Sequence, residues 1–265
     1  MNRSLQPPAV SHWLQNGFHR FLRPYLKRHF HAVAMLRRPG FPWQSLAGKP
    51  LIVYANHPSW WDPMIAHFLN RTLLPQRQFY APIDAEALKQ YGILEKLGFY
   101  GVRLNSSQGA ASFLKQSKTI LERRDTAIWI TPEGRFCDVR DHSVPLMPGL
   151  AHLCSKLHHG HALPIALEYV FWEERLPVSL LHFGDPIDVG SVQLRDKEQW
   201  KSHLQARLRT TQSELAEAAI TRDAQLFENL LYGTSGAGAV YDTFRRLRAK
   251  LSGKSFRAQH GDHFG

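Results

Sequence analysis

From Lys49 to Phe183 short apolar runs alternate with stretches whose apolar residues recur every three or four positions. Runs of four to six apolar or β-branched residues predict strands, and the three-to-four spacing predicts helices with one buried face. Strands are expected at Leu51–Ala55, Gln78–Ala81, Tyr100–Val102, Ala127–Thr131, Leu163–Tyr169 and Val178–Phe183. Helices are expected at Pro63–Leu69 and at Ala85–Leu97, where Leu88, Tyr91, Leu94 and Leu97 share a side. Further helical faces are marked by Phe113, Ser117, Ile120 and Leu121, then by Leu150, Leu153, Cys154 and Leu157. A long polar helix carries Trp200, Leu204, Leu208, Leu215 and Ala219 along one side. Regular alternation of this kind predicts an α/β domain, with a mixed, largely parallel sheet flanked by helices, over residues 46–232.

Residues 1–45 read differently. Trp13, Leu14, Phe18, Phe21, Leu22, Tyr25 and Leu26 follow helical spacing, Phe30 and Val33 continue it, and Pro24 is expected to split the stretch into two pieces. Arg20, Arg23, Lys27 and Arg28 lie between the aromatics. Large apolar rings on one face and cations on another describe amphipathic helices lying in a membrane surface. The same pattern fits a helix packed on the rest of the domain.

Charge sharpens this picture. The chain has 265 residues with 33 Lys and Arg against 22 Asp and Glu, a net +11, and the first acidic residue is Asp62. Such a segment suits an anionic partner, and each cation close to an anionic leaflet adds about 1 kcal/mol of attraction. No nucleic-acid-binding motif accompanies the charge, so nucleic acid is not expected as a partner. No apolar run is long enough to span a bilayer, and no apolar signal core opens the chain. Two cysteines, Cys137 and Cys154, form neither a disulfide framework nor a zinc spacing. Residues 233–265 begin with a Gly-rich break and turn basic, and are expected to form a flexible tail or a second weak membrane contact.

Two turns carry candidate chemistry. The strand Leu51–Ala55 runs into Asn56-His57-Pro58-Ser59-Trp60-Trp61-Asp62-Pro63. Reactive groups in open α/β sheets sit just past the carboxyl ends of strands. A carboxylate five residues on, at a helix start, can fold back onto the imidazole, fix its tautomer and leave the other nitrogen to take a proton. An ordinary helix cap at Asp62 and a polar turn residue at His57 fit the spacing equally well. Ser59 lacks the Gly-flanked elbow of a hydrolase nucleophile. The second turn, Thr131-Pro132-Glu133-Gly134-Arg135, also follows a strand. Gly134 permits a sharp turn, and Arg135 offers a planar fork suited to phosphate. A turn with a surface ion pair is the plainer alternative.

The segment Asn56–Asp62 resembles the His-x4-Asp block of the glycerolipid and lysophospholipid acyltransferase family. Pro132-Glu133-Gly134-Arg135 resembles that family's Pro-Glu-Gly block, and Leu163-Pro164-Ile165-Ala166 is similar to its later apolar block. The likeness spans residues 45–190, with the motifs in the family's order. It implies transfer of a fatty acyl chain from acyl-CoA or acyl carrier protein, as co-substrate, onto a lipid hydroxyl. It implies His57 as base, Asp62 as its orienting carboxylate, and Asn56, Ser59, Tyr80, Arg103, Glu133, Gly134 and Arg135 as candidate acceptor contacts. No resident cofactor and no metal are expected; the 15 histidines form no recognised ligand pattern. Membrane lipids are the expected partners, with peripheral attachment at the cytoplasmic face.

Two departures stand out. The family's Pro-Glu-Gly block usually continues Thr-Arg, whereas Arg135 follows Gly134 directly. In Gly98-Phe99-Tyr100-Gly101-Val102-Arg103-Leu104 the position of the family's phosphate-holding Arg falls on Leu104, with Arg103 one residue early. A one-residue shift in an extended chain reverses the side-chain face. A lysophospholipid or glycerol-3-phosphate-type acceptor follows from the resemblance; a phosphate-free glycolipid or lipid alcohol fits the departures. Outside the transferase class, a lipid (thio)esterase or a non-catalytic membrane adaptor would share the same segments.

Overall fold

A computed structural model describes residues 7–103, 106–194 and 196–234. In chain order the elements are α1 (His12–His29), β1 (Ala32–Leu36), β2 (Leu51–Ala55), α2 (Asp62–Leu73), β3 (Gln78–Asp84), α3 (Ala85–Gln90), α4 (Ile93–Lys96) and β4 (Phe99–Val102). They continue as α5 (Ser107–Leu121), β5 (Thr126–Ile130), α6 (Pro148–Ser155), β6 (His161–Val170), β7 (Val178–Phe183), β8 (Ile187–Asp188), α7 (Lys197–Thr221) and β9 (Phe227–Tyr232).

The strands form one sheet in the order β4-β3-β5-β2-β6-β7-β1-β9, with β8 paired to β6. The pairs β4/β3, β3/β5, β5/β2, β2/β6 and β7/β1 are parallel; β6/β7, β1/β9 and β6/β8 are antiparallel. The mixed, largely parallel α/β sheet expected from the alternation is present.

Burial on both sheet faces explains why β2 reads as a continuous apolar run. Successive side chains point to opposite faces. Leu51, Val53 and Ala55 join Leu22 and Leu26 of α1 and Ile65, Phe68 and Leu69 of α2 in one core. Ile52 and Tyr54 face the other way, packing with Phe113 and Ile120 of α5, Leu150 and Leu153 of α6, and Trp200, Leu204 and Leu208 of α7.

Three local expectations are corrected. Pro24 does not split α1, which runs unbroken from His12 to His29. Pro24 and Arg20, whose carbonyl loses its partner, are both exposed, and Leu22 and Leu26 anchor the helix on either side. Phe30 and Val33 do not continue it. Phe30 turns to extended backbone (φ −123°, ψ 147°), and Val33 lies in β1, paired to Ser179 of β7 and Leu231 of β9. Ala85–Leu97 is two short helices rather than one, broken at Tyr91–Gly92, because Tyr91 is exposed and contributes nothing to a shared face. Strand β9 was not expected. Of the expected tail, 233–265, residues 235–265 lie outside the described residues, as does Leu104.

Candidate active site

Parallel pairing aligns strand ends. Tyr54 of β2 faces Ile130 of β5, and Ala55 faces Ile165 of β6. The loops that follow β2 and β5 therefore leave the sheet side by side, which brings residues 56–61 against residues 131–137. Asn56 pins the point of exit. Its amide donates to the Leu167 carbonyl (3.0 Å) and accepts from the Leu167 N–H (2.8 Å), reproducing a strand bond after the strand has ended. Both functions of this buried side chain are thus spent on β6, so the structure makes Asn56 a brace rather than an acceptor contact.

His57 is clamped through its backbone from both sides. Its N–H donates to Glu133 Oε2 (2.8 Å), and its carbonyl accepts from the Cys137 N–H (3.0 Å). Its ring Nδ1 lies 2.6 Å from Asp62 Oδ2. Asp62 is buried at the start of α2, where the helix dipole favours an anion. It does not cap its own helix. Oδ2 also accepts the Ser59 N–H (3.0 Å), and Oδ1 accepts the hydroxyl of Tyr169 (2.6 Å). With the carboxylate as acceptor, Nδ1 carries the proton and Nε2 presents its lone pair outward. The Ser59 hydroxyl accepts from the Trp61 N–H (3.3 Å) and serves the loop's own geometry.

Burial against the Asp62 charge holds the Tyr169 phenol well above its ordinary range, so it remains a donor. On the other flank Trp61 packs on Phe30, His29 and Tyr25, with ring centroids 4.9, 5.3 and 5.7 Å away. Helix α1 thereby supports the loop of residues 56–61 directly.

Glu133 lies beneath the loop, its side chain buried. Oε1 accepts from Arg209 Nη1 of α7 (2.8 Å) while Oε2 holds the His57 N–H. Arg209 also donates to Gln212 (2.6 Å) and to the Val144 carbonyl (2.6 Å). Glu133 is therefore a strut between α7 and His57, with both oxygens occupied. Gly134 takes φ +69°, and a Cβ there would lie 2.2 Å from Met147 Sδ, so the turn favours glycine through its backbone and, less strictly, through its space.

A buried carboxylate–imidazole pair with one free ring nitrogen, at a strand-end surface braced by a Pro-Glu-Gly turn, is a general-base arrangement. The sequence profile of the acyltransferase family matches residues 28–168, just over half of the chain. The chain belongs to the acyltransferase family. As an O-acyltransferase it has the fold of the crystal structure of the 1-acyl-sn-glycerophosphate (LPA) acyltransferase, PlsC, from Thermotoga maritima. The TM-score is 0.50 at 16% identity, covering 77% of this chain and 80% of that one. A search of curated proteins finds no match.

Other expected acceptor contacts of this acyltransferase lie apart. Tyr80 sits mid-strand in β3 opposite Ile128, three positions before the strand end used by His57. It lines a cavity of about 670 Å³ with Arg71, Arg77, Arg123 and Asp125, which excludes His57. The structure does not bring Tyr80 to the pair. Arg103 is exposed just past β4, three strands from β2, or about 14 Å at ordinary strand spacing. Arg135 is exposed beside the turn; the Asp141 carboxyl is lowered chiefly by hydrogen bonds from Ser143, with a smaller contribution from the Arg135 charge. Tyr169 and Arg209 join the site from outside the motifs. Arg209 lies 76 residues from Glu133 and sits in no motif. Among the described residues no group of three or more His, Cys, Asp or Glu could hold a metal ion, and no helix is long and apolar enough to cross a membrane.

Proposed function

We propose that this acyltransferase moves a fatty acyl chain from a CoA or carrier-protein thioester onto the hydroxyl of a lysophospholipid or glycerol-3-phosphate-type acceptor at a membrane surface. The observation that carries the reading is the 2.6 Å contact of His57 Nδ1 with buried Asp62. The acceptor O–H gives its proton to His57 Nε2 as its oxygen bonds the thioester carbonyl carbon. Collapse of the tetrahedral adduct breaks the C–S bond, and the imidazolium returns the proton to the departing thiolate. Asp62 stabilises the imidazolium between the two steps. Tyr169 and Ser59 keep that carboxylate oriented.

Membrane attachment is supported by α1. Trp13 is 80% exposed, Phe21 is also exposed, and Arg20, Arg23, Lys27 and Arg28 are all at the surface. Exposed aromatics among cations suit an anionic leaflet, here the cytoplasmic one, with peripheral attachment. Arg135 is the exposed cation next to the Pro-Glu-Gly turn and the candidate for a phosphate. The phosphate-free acceptor is a second reading, favoured by the occupied oxygens of Glu133 and the distance of Arg103 from the pair.

The test is acyl-CoA turnover in anionic vesicles with lysophosphatidic acid, with a neutral lipid alcohol, and with neither. Ester formation with the first, lost in His57→Ala, is expected. Thioester loss at the same rate without any acceptor would make the protein an esterase. Preference for the neutral alcohol would select the second reading.

A further inference from the structure

Phe136 is the unexplained residue of the site. It is 58% exposed and belongs to none of the core clusters among the described residues. Charged residues Arg135, Asp138, Arg140 and Asp141 stand around it in the same loop. Its ring centroid nevertheless lies 4.5 Å from that of His57, tilted by 51°. The next residue fixes this position, because the Cys137 N–H bonds the His57 carbonyl (3.0 Å). A second exposed ring follows His57 closely in the chain. Trp60, three residues later, is 55% exposed, and its ring lies 4.5 Å from that of Trp61, tilted by 31°.

Leaving a large ring in water while holding it against an imidazole does nothing for the core. It does change what reaches the imidazole. Any thioester-cleaving base faces two oxygen nucleophiles. Attack by the lipid hydroxyl forms a C–O bond, breaks C–S and yields ester plus thiol. Attack by water breaks the same C–S bond and yields free fatty acid plus thiol, with the same proton path through Nε2. Water outnumbers a lipid hydroxyl by orders of magnitude, so transfer requires that water be kept from the base. The His57 side chain keeps 18% of its surface exposed, which leaves it within reach of water.

We propose that Phe136 is a specificity-determining residue: its ring shields the His57 imidazole from water and favours lipid hydroxyls over hydrolysis. It covers one side of the imidazole, and the bound acyl chain, seated on this ring, completes the apolar surround. This rests on the acyl-transfer reading above.

The test uses the full chain with palmitoyl-CoA in anionic vesicles carrying lysophosphatidic acid or the neutral alcohol, and scores ester and free palmitate together. Phe136→Ala should raise the ratio of free acid to ester by about tenfold, while Phe136→Leu, which keeps an apolar cover, should stay near wild type. An exposed residue outside the core puts folding at no risk in either variant. A fall in both products of Phe136→Ala at constant ratio would overturn the proposal, as would no change in either. Wild-type protein that makes free acid and no ester with both acceptors would overturn the transfer reading and the shield with it.

Discussion

His67 offers a measurement of the support beneath the catalytic loop. It lies fully buried in α2, on the side packed by α1. Phe18 and Phe79 meet its ring edge-on at 4.8 and 5.3 Å, and His19 lies 6.4 Å away. Among the described residues neither ring nitrogen has a hydrogen-bond partner. Burial, with smaller repulsion from His19 and Arg71, lowers its pKa from 6.5 to about 3. The unfolded chain therefore binds this proton more readily than the folded one. Stability contributed by His67 is intact above about pH 6.5 and falls as the pH drops toward 3. At about pH 5 the unfolded state has gained roughly 1.5 pK units of binding, or about 2 kcal/mol. In His67→Phe, which keeps an aromatic ring and cannot titrate, that loss disappears. Packing differences are the same at both pH values, so they cancel in the comparison. Urea midpoints at pH 8 and pH 5 for both proteins are the assay. The stability gap should widen in favour of the variant by about 2 kcal/mol from pH 8 to pH 5, since the remaining histidines titrate in both. A gap that stays constant would refute the burial argument.

Asp62→Asn should lower kcat by about 10²–10⁴-fold with the helical circular dichroism retained, because the imidazole stays but its tautomer and its developing charge lose their anion. Arg209→Met should destabilise by about 3–5 kcal/mol, since Glu133 is then buried unpaired. Adding Glu133→Gln should recover part of this in a double-mutant cycle, and additive losses would dissolve the strut. Gly134→Ala should cost about 1–3 kcal/mol of stability and reduce turnover. Met147→Ala should relieve only the steric share, since the positive φ remains, and full relief in thermal melts would mean that the backbone is unstrained.

By itself the sequence determined the layers, the order of most elements and the two turns where chemistry concentrates. Periodicity and turn residues are local, and a parallel sheet places successive strand ends at one edge whatever the details. It also put His57 and Asp62 within reach of each other, but a plain helix cap fitted the spacing equally well, and the contact itself is seen only in the folded chain. What it left open was decided at long range. Whether α1 stands alone or docks depended on the packing of Leu22 and Leu26 beneath β2, and that same packing carries the helix through Pro24. Whether Glu133 contacts substrate or braces the base depended on Arg209, which α7 delivers after the chain has crossed the sheet again. Tyr169 reaches Asp62 only because β6 lies beside β2. Such pairings join residues from 76 to 107 positions apart, and no local pattern encodes them. They exist because burial on both faces of one sheet forces distant polar groups to find each other or remain unpaired.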